Sequence, residues 1–293
     1  MSSEKLVVLD RGFVQLIDFM GSDHRIAEAA WVSTQEEAAA EGRTEKDVER
    51  IINYMMRNRH TSPFEQVEFV FRMKMPIFVA RQIIRHRTAN VNEMSGRYRE
   101  LPAESYLPEL DRIGGRGKSN KQGTEGELSE QAKEEALNIL RGGQDRAWGD
   151  YSMLNNLKIS REIARIDLPV ATYTEWMWKC DLHNIFHMLS LRLDPHAQWE
   201  TRQYAKRVYE IVKKRVPLAC AAFEEYVLYA VRLSRSQMMN LGRLLDDFPA
   251  GAVQAMAASA GPLESPPYLD VAVDIRKEIA RLEDMKYEIA KGD

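Results

Sequence analysis

Residues Arg85–Tyr98 read RHRTANVNEMSGRY, and packing alone does not account for them. They follow an apolar segment, IFVARQII, that begins just after Pro76. Proline suits the first turn of a helix, where an N–H has no partner to lose. The pattern predicts a helix through IFVARQIIRHR with a polar loop behind it. On that helix Arg81, Gln82 and Arg85 stand at i, i+1 and i+4 and share one face. Ile77, Phe78, Ile83 and Ile84 occupy much of the remainder.

Between positions 81 and 99 lie five arginines (Arg81, Arg85, Arg87, Arg97 and Arg99) and a single acid, Glu93. Like charges this close repel by about 0.2–0.5 kcal/mol per pair. A surface tolerates that cost, and an anionic partner turns it into a binding site. Guanidinium suits phosphate because its planar fork donates two parallel hydrogen bonds. Asn90, Asn92, Glu93, Ser95 and Gly96 add amides, an acceptor, a hydroxyl and a permissive backbone. The mixture fits a phosphorylated polar small molecule, and a solvated basic helix end is the plain alternative. Tyr98 is the only aromatic residue here that could stack on a base, which argues against nucleic acid.

Outward from this run the chain mixes strands and helices. Leu6 to Leu9 and Phe13 to Phe19 read as strands around a turn at Arg11-Gly12. A short helix is expected from Ser22 to Val32. Thr44-Glu45-Lys46-Asp47 resembles a capping box with Asp in place of Glu, opening a helix that carries Val48, Ile51, Ile52 and Met55. Val67, Phe69, Phe71 and Met73 alternate with polar or less apolar neighbours, the period of a strand. Residues 111–127 are glycine-rich and patternless, so a surface loop is expected there. Helices are then expected over 128–158, 160–168, 181–193 and 197–237, with TYTEWMWK a strand between the second and third. Pro217 should kink or split the last. Residues 249–270 read as a linker, and Ile275, Ile279, Leu282, Met285 and Ile289 stripe a final helix.

The expected class is therefore α+β. A single mixed α/β domain, with a central antiparallel-type sheet and long helices, occupies residues 1–235. A linker and helical tail occupy 236–293. Of 293 residues 44% are hydrophobic and 29% charged, enough for a core and its cover. A formal net charge of -3 is not that of a globally basic nucleic-acid binder, so any anion must be held by local clustering. Two cysteines, Cys180 and Cys220, exclude a disulfide framework and suit a reducing compartment. The start MSSEKLVVLD has no apolar signal core and no run is long enough to cross a bilayer, so the expected location is cytoplasmic, away from membranes.

Arg85-His86-Arg87, seven residues and Ser95 resemble the RHR-x7-S signature of the flavin-dependent thymidylate synthases. AAWVS ending at Ser33, RHTSPFE (59–65), PIFVARQIIRHR, REIARIDLP (161–169) and LSLRLDPHAQWE (189–200) resemble further motifs of that family, in consistent order over roughly residues 5–230. The resemblance implies a methyltransferase that makes dTMP from dUMP. 5,10-Methylenetetrahydrofolate would give the carbon, and FAD reduced by NADPH the hydride. It also implies a homotetramer whose active sites are shared between subunits.

Carried onto this chain, Gln82, Arg85, Glu93, Met94, Ser95, Gly96, Arg97, Arg165 and Arg192 would bind the nucleotide. Arg192 would lie at the pyrimidine edge, where a fixed cation stabilises negative charge developing on the ring. Ser95 stands where a nucleophile has been sought, but no local base activates it, so substrate binding is the expectation. Ser62, Arg85, His86, Arg87, Glu93, Asp181, His183 and His187 would hold FAD, with His60 near the flavin as a catalytic candidate or simply a loop-capping histidine. Asp181 has a second possible use, as the cap of its helix; the family often has Asn there, and Asn or Arg at 183 and 187. No GxGxxG precedes a helix, which argues against a Rossmann mode for flavin or NADPH.

Rival readings fare less well. His183 and His187 have zinc-helix spacing, but Asn184 stands where the zincin glutamate belongs, so no metal is expected. Neither cysteine sits in the motif of the classical, thiolate-using synthase. A nucleotide- or flavin-binding relative without turnover would be expected to have lost some of these residues, and a purely structural helical multimer leaves the polar run unexplained.

Overall fold

The period-two runs of the sequence become one sheet, and it places the site. The computed structural model describes residues 5–33, 43–116 and 126–246. Strands β1 (Lys5–Val8) and β2 (Gly12–Met20) form the expected hairpin. Ser22 caps α1 (Asp23–Val32), accepting from the Arg25 N–H at 3.2 Å. Thr44 opens α2 (Glu45–Arg57), its own N–H donating to Asp47 Oδ2 at 2.9 Å, the reach-back half of the expected capping box. β3 (Glu68–Pro76) leads directly into α3 (Ile77–Ile83), and β4 (Asn90–Glu93) follows. After α4 (Glu130–Asn156) and the single turn α5 (Arg161–Ala164) come β5 (Tyr173–Asp181) and α6 (Leu182–Arg192). α7 (Trp199–Arg215) and α8 (Pro217–Phe223) are separated at Val216-Pro217, where proline removes a donor from the helical ladder.

Among the described residues the sheet has five strands in the order β1-β2-β3-β5-β4, every pairing antiparallel. One face is apolar: Val14, Leu16, Phe69, Phe71, Met73, Trp176 and Trp178 are buried against helical residues such as Val48, Ile52, Ile185, Leu189, Tyr204, Val208 and Phe223. Trp176 and Trp178 thus serve sheet packing, with Phe71 and Trp178 stacked at 6.0 Å. Large side chains fully buried in this way stabilise by roughly 1.5–3 kcal/mol each. The other face carries cross-strand ion pairs, Arg72 with Glu175 and Lys179 with Glu68. The fold class is the expected α+β arrangement, with helices gathered on one side of an antiparallel sheet.

Several expected boundaries move. The helix after Pro76 stops at Ile83 rather than Arg87, and the His86 N–H closes a turn onto the Ile83 carbonyl at 3.0 Å. Residues 90–93, expected as loop, are an edge strand paired with Lys179–Trp176. The helix expected over 160–168 is one turn, and the one expected over 197–237 ends in a π-type turn, Glu224–Leu228. Two compact units divide the chain, Met1–Tyr229 and Ala230–Asp293. The sheet and all candidate site residues belong to the first, and the described part of the second contains α9 (Arg235–Asp246). Residues 117–125 of the expected surface loop, the 249–270 linker and the Ile275–Ile289 stripe lie outside the described residues.

Candidate active site

β3 and β5 pair from Glu68↔Asp181 to Pro76↔Tyr173, and this register aims α3 and α6. The N–H groups of Ile77 and Phe78 donate to the Thr172 and Val170 carbonyls, at 2.9 and 3.0 Å, fixing where α3 starts. Val79, Ala80 and Ile83 enter the core, which leaves Arg81 exposed and Gln82 half-buried. Asp181 caps α6, accepting from the Asn184 backbone N–H at 3.0 Å and from Asn184 Nδ2 at 2.7 Å. Its second reading is therefore the one the geometry gives, with both oxygens engaged. α6 buries Leu182, Ile185, Phe186, Met188 and Leu189, which turns His183, His187 and Arg192 away from the core.

Arg192 is held from two sides. Its Nε donates to His86 Nε2 at 3.1 Å, and Nη2 donates to the Gln82 carbonyl at 3.1 Å. Arginine always carries its protons, so His86 accepts through Nε2 and must be neutral, with its hydrogen on Nδ1. Burial, the Arg192 charge and His187 together push the His86 pKa down to about 4. The His187 ring meets His86 edge-on at 5.6 Å. Burial also lowers the pKa of Arg192, but a guanidinium stays charged in any case. Among the described residues the other N–H groups of Arg192 meet no acceptor, so a preoriented cation edge is left for a ligand.

The neutral state of His86 has a pH consequence. Its pKa in the folded protein lies below the ordinary value of 6.5, so its contribution to stability is complete above that pH. The contribution is withdrawn as pH falls through about 4. The ring signals of His86 in a proton NMR titration should hold steady from pH 8 to about 5 and move only near 4. A midpoint between 6 and 7 would show that the Arg192 bond does not form in solution.

A second group surrounds β4. Glu93 accepts from the buried Thr174 hydroxyl, and the Met94 N–H donates to the Glu175 carbonyl at 2.8 Å. Ser95 Oγ accepts from the Arg97 N–H at 3.2 Å, which shapes the turn. Gly96 is buried, and a Cβ there would stand 3.0 Å from Leu101 Cδ1 and 3.2 Å from Arg165 Cδ. The Arg165 stem therefore lies against the loop. Arg161 Nη1 donates to the Tyr98 carbonyl and Arg97 pairs with Glu162, both at 3.0 Å, so α5 is latched to the same turn. A groove of about 400 Å³ runs here, its lining including Asn92, Glu93, Met94, Ser95 and Arg99.

The remaining candidates divide. Arg85 and Arg87 are exposed and have no acidic partner among the described residues. His60 and Ser62 are exposed as well. His60 closes α2 through its N–H to the Met55 carbonyl at 2.9 Å, while its ring stacks on Tyr54 at 6.1 Å. The turn after them reaches α6 through Phe64 and Phe186, ring centroids 6.4 Å apart. So Gln82, Arg192, His86 and His187 are linked in that order by successive contacts, and Glu93–Arg97 with Arg165 form a separate group. Sequence reading missed Thr174, which sets Glu93, and Cys180, whose thiol donates to the Thr88 carbonyl at 3.3 Å and ties down the arginine run. The only hint was their place on β5, opposite that run. Burial pushes the thiols of Cys180 and Cys220 well above the usual range, so neither is poised as a thiolate nucleophile. Among the described residues no cluster of three or more His, Cys, Asp or Glu side chains can hold a metal, and no helix is long and apolar enough to cross a membrane.

Comparison with known proteins identifies the family. The family described as thymidylate synthase complementing protein matches residues 15–218. A flavin-dependent thymidylate synthase of Thermus thermophilus is 53% identical over 238 residues, 81% of this chain and 85% of that one. One from Treponema denticola is 47% identical over 239 residues, 81% and 88% of the two chains. A crystal structure of the UMP/dUMP methylase PolB from Streptomyces cacaoi, bound with 5-Br dUMP, superposes with a TM-score of 0.69 at 32% identity, covering 76% of this chain and 99% of that chain. The basic run, the strand that steadies it and the arginine it surrounds all fall inside the matched span, and the chain belongs to the flavin-dependent thymidylate synthase family.

Proposed function

We propose that this enzyme converts dUMP to dTMP. A methylene carbon from 5,10-methylenetetrahydrofolate joins uracil C5 as its bonds to the two folate nitrogens break. The C5 proton leaves, a hydride completes the methyl group, and tetrahydrofolate is released. The hydride would come from FAD reduced by NADPH. The observation that carries the reading is the Arg192 guanidinium, oriented by a neutral imidazole and a backbone carbonyl with N–H groups to spare. Such a fixed cation beside the pyrimidine stabilises charge on the ring without reorganising during reaction.

The donor set fits a flavin dinucleotide. Arg85, His86, Arg87, His183 and His187 offer guanidinium and imidazole N–H groups suited to a pyrophosphate. Asp181, the acid that begins the same stretch, is occupied by its cap. Ser62 would add a hydroxyl and Glu93 an acceptor to that site, His60 would stand near the flavin, and Gln82, Arg85, Met94, Ser95, Gly96, Arg97 and Arg165 would grip the nucleotide. We read the two groups as parts of one site shared between subunits of a homotetramer, in a cytoplasmic enzyme.

The protein should purify yellow, bleach on addition of NADPH, and release tritium from C5-labelled dUMP only when NADPH and methylenetetrahydrofolate are both present. A colourless protein that takes up no FAD would overturn the assignment. Among the described residues no base is hydrogen-bonded to Ser95; its Oγ accepts from the Arg97 N–H, so its part is to shape the turn and bind phosphate or sugar. Ser95→Ala should lose roughly tenfold in kcat/KM, the scale of a hydrogen bond to a charged group, through KM more than kcat. Complete loss of turnover with dUMP binding intact would restore Ser95 as a nucleophile.

A further inference from the structure

We infer that Gln198 is a positioning residue for the nucleotide site, acting through Gln82; the inference rests on the function proposed above. Gln198 is the N-cap of α7, the place where a side chain ordinarily accepts a bond from its own helix. It makes no such bond. Its Oε1 instead accepts from Nε2 of Gln82, across 116 residues of chain.

Three anchors hold that contact in place. The Gln82 carbonyl accepts from Arg192 Nη2 at 3.1 Å, so backbone and side chain of Gln82 are gripped from opposite ends. The Gln198 carbonyl accepts from the Arg202 N–H at 3.0 Å, so the residue is fixed to the first turn of α7. One turn further along, Tyr204 donates to the Lys74 carbonyl at 2.9 Å, locking α7 to the strand that feeds α3. With one Nε2 hydrogen committed to Gln198, an exposed side chain at the mouth of α7, the Gln82 amide is restrained in its rotation. It presents its remaining Nε2 hydrogen and its Oε1 in preferred directions, and a preoriented amide loses less freedom when a nucleotide arrives. The chain Gln198–Gln82–Arg192–His86 thereby sets two ligand-facing groups together.

The test separates an acceptor from a space-filler. Gln198→Glu keeps the acceptor, whereas Gln198→Met keeps the volume and loses it. The Met variant should raise both KM and the equilibrium dissociation constant for dUMP by roughly fivefold, the worth of one neutral hydrogen bond, with kcat and thermal midpoint little changed. The Glu variant keeps the acceptor but adds a negative charge near an anionic ligand. Both variants are therefore compared with the wild type at high ionic strength, where that repulsion is screened and the Glu variant should stay within about twofold of the wild type. Equal behaviour of the two variants, whether both unchanged or both impaired, overturns the assignment. Binding of dUMP is measured by equilibrium dialysis alongside turnover. A wild type that neither binds dUMP nor forms dTMP overturns the functional reading together with this one, whereas an active wild type with indistinguishable variants overturns this one alone.

Discussion

Arg192→Ala should abolish measurable dTMP formation while the purified protein stays yellow. The Arg192 side chain donates to the Gln82 carbonyl and to His86, one member of the flavin set, and none of its bonds runs to Arg85, Arg87 or His183, which would keep their hold on the cofactor. Truncation removes the cation from the reacting edge, and it also leaves the His86 and Gln82 acceptors without their donor. Loss of one preorganised electrostatic group costs on the order of 10²–10³ in kcat, and the disturbance of Gln82 adds to it. Arg192→Lys should recover little, because a single ammonium cannot serve two acceptors and still face a ligand as a planar fork does. The same Ala variant should raise the His86 pKa, since the Arg192 charge is the second cause of its depression after burial. Loss of flavin with dUMP binding retained would show that Arg192 belongs to the cofactor side.

How much of this was legible in the sequence depends on which force set each feature. Alternation in Val67–Met73 and the apolar stripe behind Thr44 made β3 and α2 plain, because burial of one face dictates those periods. β4 was not plain. Asn90-Val91-Asn92-Glu93 has neither β-branched enrichment nor a buried face, and it is a strand only because β5 offers an unpaired edge. The helix ending at Ile83 rather than Arg87 has the same origin, since the chain must leave α3 early to reach that edge. At the site, residue types announced anion binding, whereas the pairing of Arg192 with His86 spans 106 positions and follows from topology alone. Asp181 shows the converse: the family pattern put it near flavin, and its local use as a cap, visible in the spacing to Asn184, is what the structure displays.

Gly12→Ala should be the most damaging small substitution outside the site. A Cβ built at Gly12 would lie 1.9 Å from the Tyr204 hydroxyl oxygen and 2.8 Å from the Lys74 and Val8 carbonyl oxygens. The two carbonyls belong to paired strands and cannot retreat without breaking the ladder. Tyr204 is fully buried and donates to that same Lys74 carbonyl, so it has no empty space to enter. Overpacking of this kind costs about 1–3 kcal/mol, and losing the buried hydroxyl bond adds roughly another 1. Chemical denaturation followed by circular dichroism should report a loss of about 2–4 kcal/mol. Because Tyr204 anchors α7 near Gln198, the surviving folded protein should also bind dUMP more weakly. Tyr204→Phe removes the oxygen that the new methyl group strikes, so the double variant should be less destabilised than the sum of the two single changes. Strict additivity would mean that the approach of Tyr204 to Gly12 is not what makes glycine necessary at this position.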